Sequence, residues 1–268
     1  MNQPAIQESA GGYDPRYFER LAQTKDRHFW FVARNRLLAR LIAGEARRLG
    51  PGYRAIEIGC GNGNVLRVFE REAHGAAHVM GFDLFPEGFD IARRRGVKCE
   101  MRQGDLFDLP EAEPFGLMGI FDTLEHIPDD ERVLRKLHSL IAPGGALLVT
   151  VLAHPWLWSY FDEAAHHCRR YTNRELAAKL KAAGFGVAFC SQFMMSILPM
   201  VWLSRKLNPE VNKGRTEHEL TENELKIVPG LNGLLTALLS MEAAWVGGHR
   251  SLPLGTSLVA VARRPVQP

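Results

Sequence analysis

Residues 54–64 read RAIEIGCGNGN, a short apolar run that breaks into a turn with glycine at every second position. No other stretch constrains the fold as much. An apolar run of strand length with no polar alternation fits a parallel strand buried on both faces. Glycines let the next few peptides turn tightly and approach a ligand closely. A helix that begins just beyond, at about Asn64, would point its free N–H groups back at that turn. A parallel strand needs a crossover to reach its neighbour, so the unit demands a larger α/β sheet around it.

The rest of the chain supplies one. Further strands are expected at His78–Leu84, Val97–Gly104, Pro114–Phe121, 146–151 (ALLVTV), 186–193 (GVAFCSQF) and 257–264 (SLVAVARR), with helices between most of them. Pro86 opens one helix, Asp129–Glu131 another and the TNRE capping box at Thr172 a third. Pro143-Gly144-Gly145 is expected to stop the second of these. Residues 194–250 break the rhythm and look helical, with Leu231, Leu234, Leu235, Leu238 and Leu239 spaced as one apolar face. Four parts follow: a helical segment 1–53 that caps the site, a cofactor core 54–193, a helical insert 194–250, and 251–268 returning a last strand to the core.

Global properties exclude several classes. The four cysteines are far apart and form no CxxC pair, which argues for free thiols in a reducing compartment, hence the cytoplasm. Net charge is +3 and no basic stripe interleaved with aromatics stands out, against a nucleic-acid partner. The N-terminus has neither the basic start nor the apolar run of a secretory signal. Lys181 to Arg205 encloses a charge-free stretch long enough for a bilayer, but its glycines, Gln192 and Pro199 and its strand-like alternation argue against a span.

The glycine turn runs GxGxG, where a dinucleotide fingerprint needs GxGxxG and Asn64 stands instead. Glu57, on the strand before it, favours a cofactor carrying positive charge over a pyrophosphate. Asp83 ends the second strand, where an acid can accept from both ribose hydroxyls. Asp105 follows the third and could accept from an adenine amino group.

Through EIGCGNG, GFD, GDLFDLP, FDTLEHIPD and LIAPGGALLVTV, residues 54–192 resemble the class I S-adenosylmethionine-dependent methyltransferases. HHCRRYTNREL and LPLGTSLVAVARR resemble one bacterial branch of that family. The resemblance implies a Rossmann-like α/β fold: a seven-stranded, mostly parallel sheet with helices on both faces, an N-terminal helical cap and a helical insert before the last strand. It implies S-adenosyl-L-methionine as cofactor, held by Glu57, Gly59, Gly61, Gly63 and Asp83, with Leu84, Asp105, Leu106 and Asp122 completing the pocket.

Methyl transfer from a sulfonium needs alignment, exclusion of water and, for a hydroxyl, removal of a proton. The segment FDTLEHI (121–127) offers two chemistries. Asp122, Glu125 and His126 would share one face of a helical turn and, with a later histidine, could bind a divalent ion as in some metal-dependent relatives. Those relatives begin the run with Glu, so Asp122 departs from the pattern. Otherwise His126 is a general base or a structural group. The stretch 151–171 adds His154 and His167 as candidate bases, and Arg169, Arg170 and Tyr171 as candidate substrate contacts. Trp30, within DRHFWFVARNR, is a candidate wall of the same pocket. The expected reaction is O-methylation of a small-molecule or lipid- or sugar-linked acceptor. A metal-dependent enzyme and a non-catalytic cofactor-binding protein are the rivals. The insert could serve as lid, dimer surface or peripheral membrane contact.

Overall fold

The computed structural model describes residues 22, 24–111, 113–207 and 227–266. Most of the expected cap segment before residue 24, and the middle of the expected insert, lie outside the described residues.

Helix α1 (Phe29–Leu49) precedes the sheet. The core then runs β1 (Arg54–Ile58), α2 (Leu66–Glu72), β2 (His78–Asp83), α3 (Phe89–Arg94), β3 (Glu100–Gln103), β4 (Phe115–Phe121), α4 (Asp130–Leu140) and β5 (Ile141–Leu152). It continues through α5 (Tyr160–Ala164), α6 (Asn173–Ala182), β6 (Gly186–Phe193), α7 (Leu198–Leu207), α8 (Leu231–Gly247) and β7 (Ser257–Arg263). The seven strands form one sheet in the order β3-β2-β1-β4-β5-β7-β6. The pairs from β3 to β5 are parallel, and β7 lies antiparallel between β5 and β6.

Alternation along the central strands sorts their side chains onto two cores. Ile56, Met118, Ile120, Leu147 and Val149 face Val133, Leu134 and Leu137 of α4 and Leu176 and Leu180 of α6. Ala55, Leu117, Phe121, Ala146 and Leu148 face Leu37, Leu38, Leu41 and Ile42 of α1, Phe69 of α2, and Leu239 and Ala243 of α8. Both faces are therefore covered, as a parallel sheet requires.

Several boundaries differ from the sequence expectation, each for a local reason. β1 stops at Ile58 because Gly59 turns to φ 73°. Pro86–Gly88 forms a separate 3-10 turn ahead of α3. β3 covers only four residues, because Val97 packs beneath α3 instead of pairing. Pro143-Gly144-Gly145 does not stop α4, which ends at Leu140. The triplet lies inside β5, where Ile141 already pairs with Phe115 and a register shift absorbs the extra residues. The five leucines of α8 do not share a buried face: Leu235 and Leu239 are buried with Ala243 and Val246, while Leu231 and Leu234 are exposed. Leu235, Leu239 and Ala243 step by fours along the helix and share the apolar core with α1, as a packing ridge does. The charge-free stretch before Arg205 divides into β6, a turn and α7, and no described helix is long and apolar enough to cross a membrane.

Candidate active site

The sheet order reverses direction between β1 and β4, which opens a crevice beyond their carboxyl ends. The glycine turn after β1 forms its floor. Gly59, Gly61 and Gly63 all have positive φ, at 73°, 48° and 72°. At Gly59 a Cβ would stand 2.4 Å from Thr123 Oγ1, so the turns after β1 and β4 touch there. At Gly61 a Cβ would meet nothing within 4 Å. The backbone at that point lines open space, a cradle that a side chain would fill.

Three carboxylates rim this cradle. Glu57 is buried on β1 with Oε2 lacking any hydrogen-bond partner. Burial first, and the neighbouring Asp83 and Asp122 second, raise its carboxyl well above the usual range, against the pull of Arg34. Asp83 accepts from the N–H groups of Gly61 at 2.7 Å and Phe85 at 2.9 Å, which ties β2 to the glycine turn. Burial raises its pKa as well. Asp122, at φ 48°, accepts from Thr150 Oγ1 at 3.0 Å and pairs with Arg34. On the far side, Asp105 caps a 3-10 turn by accepting from the Phe107 N–H at 2.9 Å, and Leu106 is buried beneath it. Leu84 is 42% exposed beside Asp83, an apolar surface open to a flat ring. A buried, partnerless carboxylate over a glycine cradle fits a cofactor with positive charge.

Sequence reading missed Arg34, Lys25 and Asp162. Arg34 projects from α1 into the crevice, where it joins Asp122 to Asn64, whose Oδ1 accepts at 2.8 Å. Asn64 is the residue that breaks the dinucleotide spacing, and its work here is to hold α1. Trp30, one turn earlier on α1, lies 5.1 Å from the Arg34 guanidinium and so stands close to the crevice. The signal was available: Trp30 and Arg34 are spaced i, i+4 on one helix face. Lys25 lies near Glu57 and Asp122. Burial and then the positive charge of Arg34 and Arg95 push its ammonium down to about 7.

Beyond β4, a 3-10 turn over Leu124–His126 presents the His126 ring. The segment 154–171 folds back onto this turn: the Cys168 N–H donates to the Glu125 carbonyl at 2.7 Å, and Ala153 bridges to Tyr171. Ring centroids of His126 and His167 consequently stand 4.6 Å apart, edge to face. His167 Nδ1 lies 3.1 Å from Asp162 Oδ1. Asp162 sits in a capping box with Ser159 on α5, an element absent from the sequence expectation. His126 keeps an exposed surface, yet desolvation and then His167 hold it below the ordinary imidazole value.

The remaining candidates lie elsewhere. His154 is buried at φ 60°, its Nε2 2.6 Å from Gln192 of β6 and its ring stacked on Trp156. Arg170 is buried and engaged with Asp162 at 2.7 Å and the Ala153 carbonyl at 3.1 Å. Arg169 pairs with Asp130 at 2.8 Å, and the fully buried Tyr171 donates to the same carboxylate at 2.8 Å. Arg169 and Tyr171 thus knit the 154–171 segment to α4, while Arg170 ties it to α5 and to the end of β5. Asp122 is occupied by Arg34 and Thr150, and Glu125 is buried with Oε2 unpartnered. Among the described residues, no group of three or more His, Cys, Asp and Glu side chains gathers as a metal site.

Comparison with known proteins gives this geometry a context. A family model described as a methyltransferase domain matches residues 23–188. The ubiquinone biosynthesis O-methyltransferase of Xanthomonas euvesicatoria pv. vesicatoria (strain 85-10) is 30% identical over 152 residues, covering 50% of this chain and 62% of that protein. The chain thus spans about three fifths of that relative's length. An S-adenosylmethionine-dependent methyltransferase from Mesorhizobium loti is 20% identical with a TM-score of 0.50, covering 80% of this chain and 92% of the other. Haemonchus contortus phosphoethanolamine N-methyltransferase 2, solved in complex with S-adenosyl-L-methionine, is 19% identical with a TM-score of 0.50, over 81% and 49% of the two chains. Likeness at these identities speaks for the fold.

Proposed function

The chain belongs to the methyltransferase-domain family, and on that premise we propose that it transfers the methyl group of S-adenosylmethionine to an oxygen of a small-molecule acceptor. The observation that carries this reading is the partnerless, buried Glu57 over the open Gly61 cradle, one strand away from the His126–His167 pair. The O-methyltransferase name of its Xanthomonas relative supports oxygen as the acceptor atom.

S-adenosylmethionine supplies a methyl group already activated on a sulfonium, open to in-line displacement. The chain's own residues bind, orient and deprotonate. Glu57 favours the cationic part of the cofactor, Asp83 the ribose hydroxyls, and Asp105 with Leu84 and Leu106 the adenine side. Asp122 and Arg34 close the crevice from β4 and α1, with Trp30 above them. His126 takes the acceptor's proton on its ring nitrogen, and His167, oriented by Asp162, stands behind it. A depressed imidazole is neutral at physiological pH but a weak base, so it suits a ring hydroxyl better than an aliphatic alcohol. In this assignment Arg169, Arg170, Tyr171 and His154 are positioning and packing groups.

The core comprises residues 54–193 with 251–268, while 1–53 and 194–250 flank it. A lipid- or sugar-linked acceptor and peripheral membrane contact belong to this proposal as its finer form. Exposed Trp156, Trp158, Trp202 and Trp245 support them, since indoles favour the membrane interface. The reading places the protein in the cytoplasm, consistent with four free cysteines. Incubation with isotopically labelled cofactor and a panel of phenols, followed by mass spectrometry, tests the function. Labelled O-methyl product supports it; cofactor binding without transfer to any acceptor would favour a non-catalytic binding protein.

A further inference from the structure

A cavity of about 880 Å³ opens between α1, α2 and α8, adjoining the crevice at Lys25. Among the described residues its walls carry Lys25, Arg36, Arg40, Arg67 and Arg71 against a single carboxylate, Asp26. Arg36 and Arg40 are spaced i, i+4 on α1, and Arg67 and Arg71 are spaced i, i+4 on α2. Like charges at that spacing repel along a helix, so packing alone gives no reason to set two such pairs around one cavity.

The arginines also differ in how they are held. Arg67 bonds Asp26 at 2.6 Å and Arg71 bonds Glu72 at 2.7 Å. Arg36 donates to the Ser240 hydroxyl of α8, and Arg40 lies along the backbone at Gly247. Neither Arg36 nor Arg40 meets a carboxylate among the described residues. A cleft lined by one sign of charge focuses its field on whatever enters, and guanidinium forks match phosphate oxygens two at a time.

We propose that this cavity is a binding site for a phosphate or diphosphate ester, engaged by Arg36 and Arg40 of α1 with Arg67 and Arg71 of α2. The four arginines lie outside the crevice residues assigned above, and the proposal does not depend on methyl transfer. The outward face of α8 exposes Leu234, Met241 and Trp245, so the phosphate has two sources: a soluble ester, or the headgroup of an anionic lipid.

Calorimetric titration of the full chain with pyrophosphate, and co-sedimentation with vesicles containing phosphatidic acid, separate these sources. The variant is Arg36→Gln with Arg40→Gln, two exposed side chains without ion pairs among the described residues, its fold checked by circular dichroism and thermal unfolding. Pyrophosphate binding that weakens with added salt and falls at least tenfold in the variant supports the site with a soluble ligand. Loss of vesicle binding alone in the variant supports it with a lipid headgroup. Absence of both interactions in the wild type, or both unchanged in the variant, overturns it. S-adenosylmethionine affinity, measured alongside, should stay within about twofold in the variant. Its absence in the wild type would instead count against the proposed function.

Discussion

At the scale of single residues, the proposed function divides the labour between His126 and Glu57. A positioned base contributes about 10²–10⁴-fold to a proton-transfer step. His126→Ala should therefore lower kcat by roughly that range while leaving the cofactor Kd unchanged, read by steady-state kinetics and calorimetry. Glu57 predicts a pH dependence. Its carboxyl is held above the usual range, so it is neutral at low pH and ionises as pH rises. A bound cation favours the ionised form, so binding should release protons, and affinity should rise with pH through the raised pKa. Lys25, pushed down to about 7, loses its repelling charge as pH rises and so acts in the same direction. Calorimetry in two buffers of different ionisation enthalpy measures the protons released, and Glu57→Gln should abolish its share. Two alanines then tell fold from cradle. Gly59→Ala combines positive φ with a 2.4 Å clash and should cost on the order of 2–3 kcal/mol of stability in urea. Gly61→Ala strains only the backbone, about 1 kcal/mol, yet places a methyl group in the crevice, so it should lose affinity more than stability.

At the scale of elements, α1 is more than a cap. Its buried Arg34 joins the turn after β4 to the turn after β1, so the helix reports on both sides of the crevice. Removing one partner of a buried pair costs about 3–5 kcal/mol. Arg34→Met should approach the lower figure, because Thr150 still holds Asp122, and unfolding in urea will show it. Local signals made most elements readable: β6 begins and ends where its alternation does, and Thr172 caps α6 through the Glu175 N–H. Signals that depend on distant partners were not. Nothing in PGG says that Phe115 waits opposite Ile141, so a strand start looked like a helix stop. Arg170 and Tyr171 read as ligands because no sequence rule places Asp162 and Asp130 beside them. The carboxylates at the strand ends were legible for the opposite reason: sheet topology brings those ends together whatever the side chains do.

At the scale of the whole molecule, the crevice joins segments far apart in the chain, from α1 to the 154–171 fold-back. A ligand that binds only this assembled state should stabilise all of it. At a hundredfold excess over Kd the gain is about 2.7 kcal/mol. For a chain of this size that corresponds to roughly 5–10 °C in Tm, measurable by calorimetric or dye-monitored melting. A larger shift at one probe than at another would mean that α1 or the insert melts separately.

The position of β7 sets a timetable for synthesis. It follows every other described strand in the chain, yet it lies between β5 and β6 and pairs with both. Until Ser257–Arg263 leave the ribosome, β6 has no strand to lie against, and the parallel half of the sheet ends at β5 with an open edge. A growing chain therefore carries a nearly complete cofactor crevice and an unfinished sheet at the same time. Chaperones that shield strand edges should engage it during that interval, and release should follow the arrival of Ser257–Arg263.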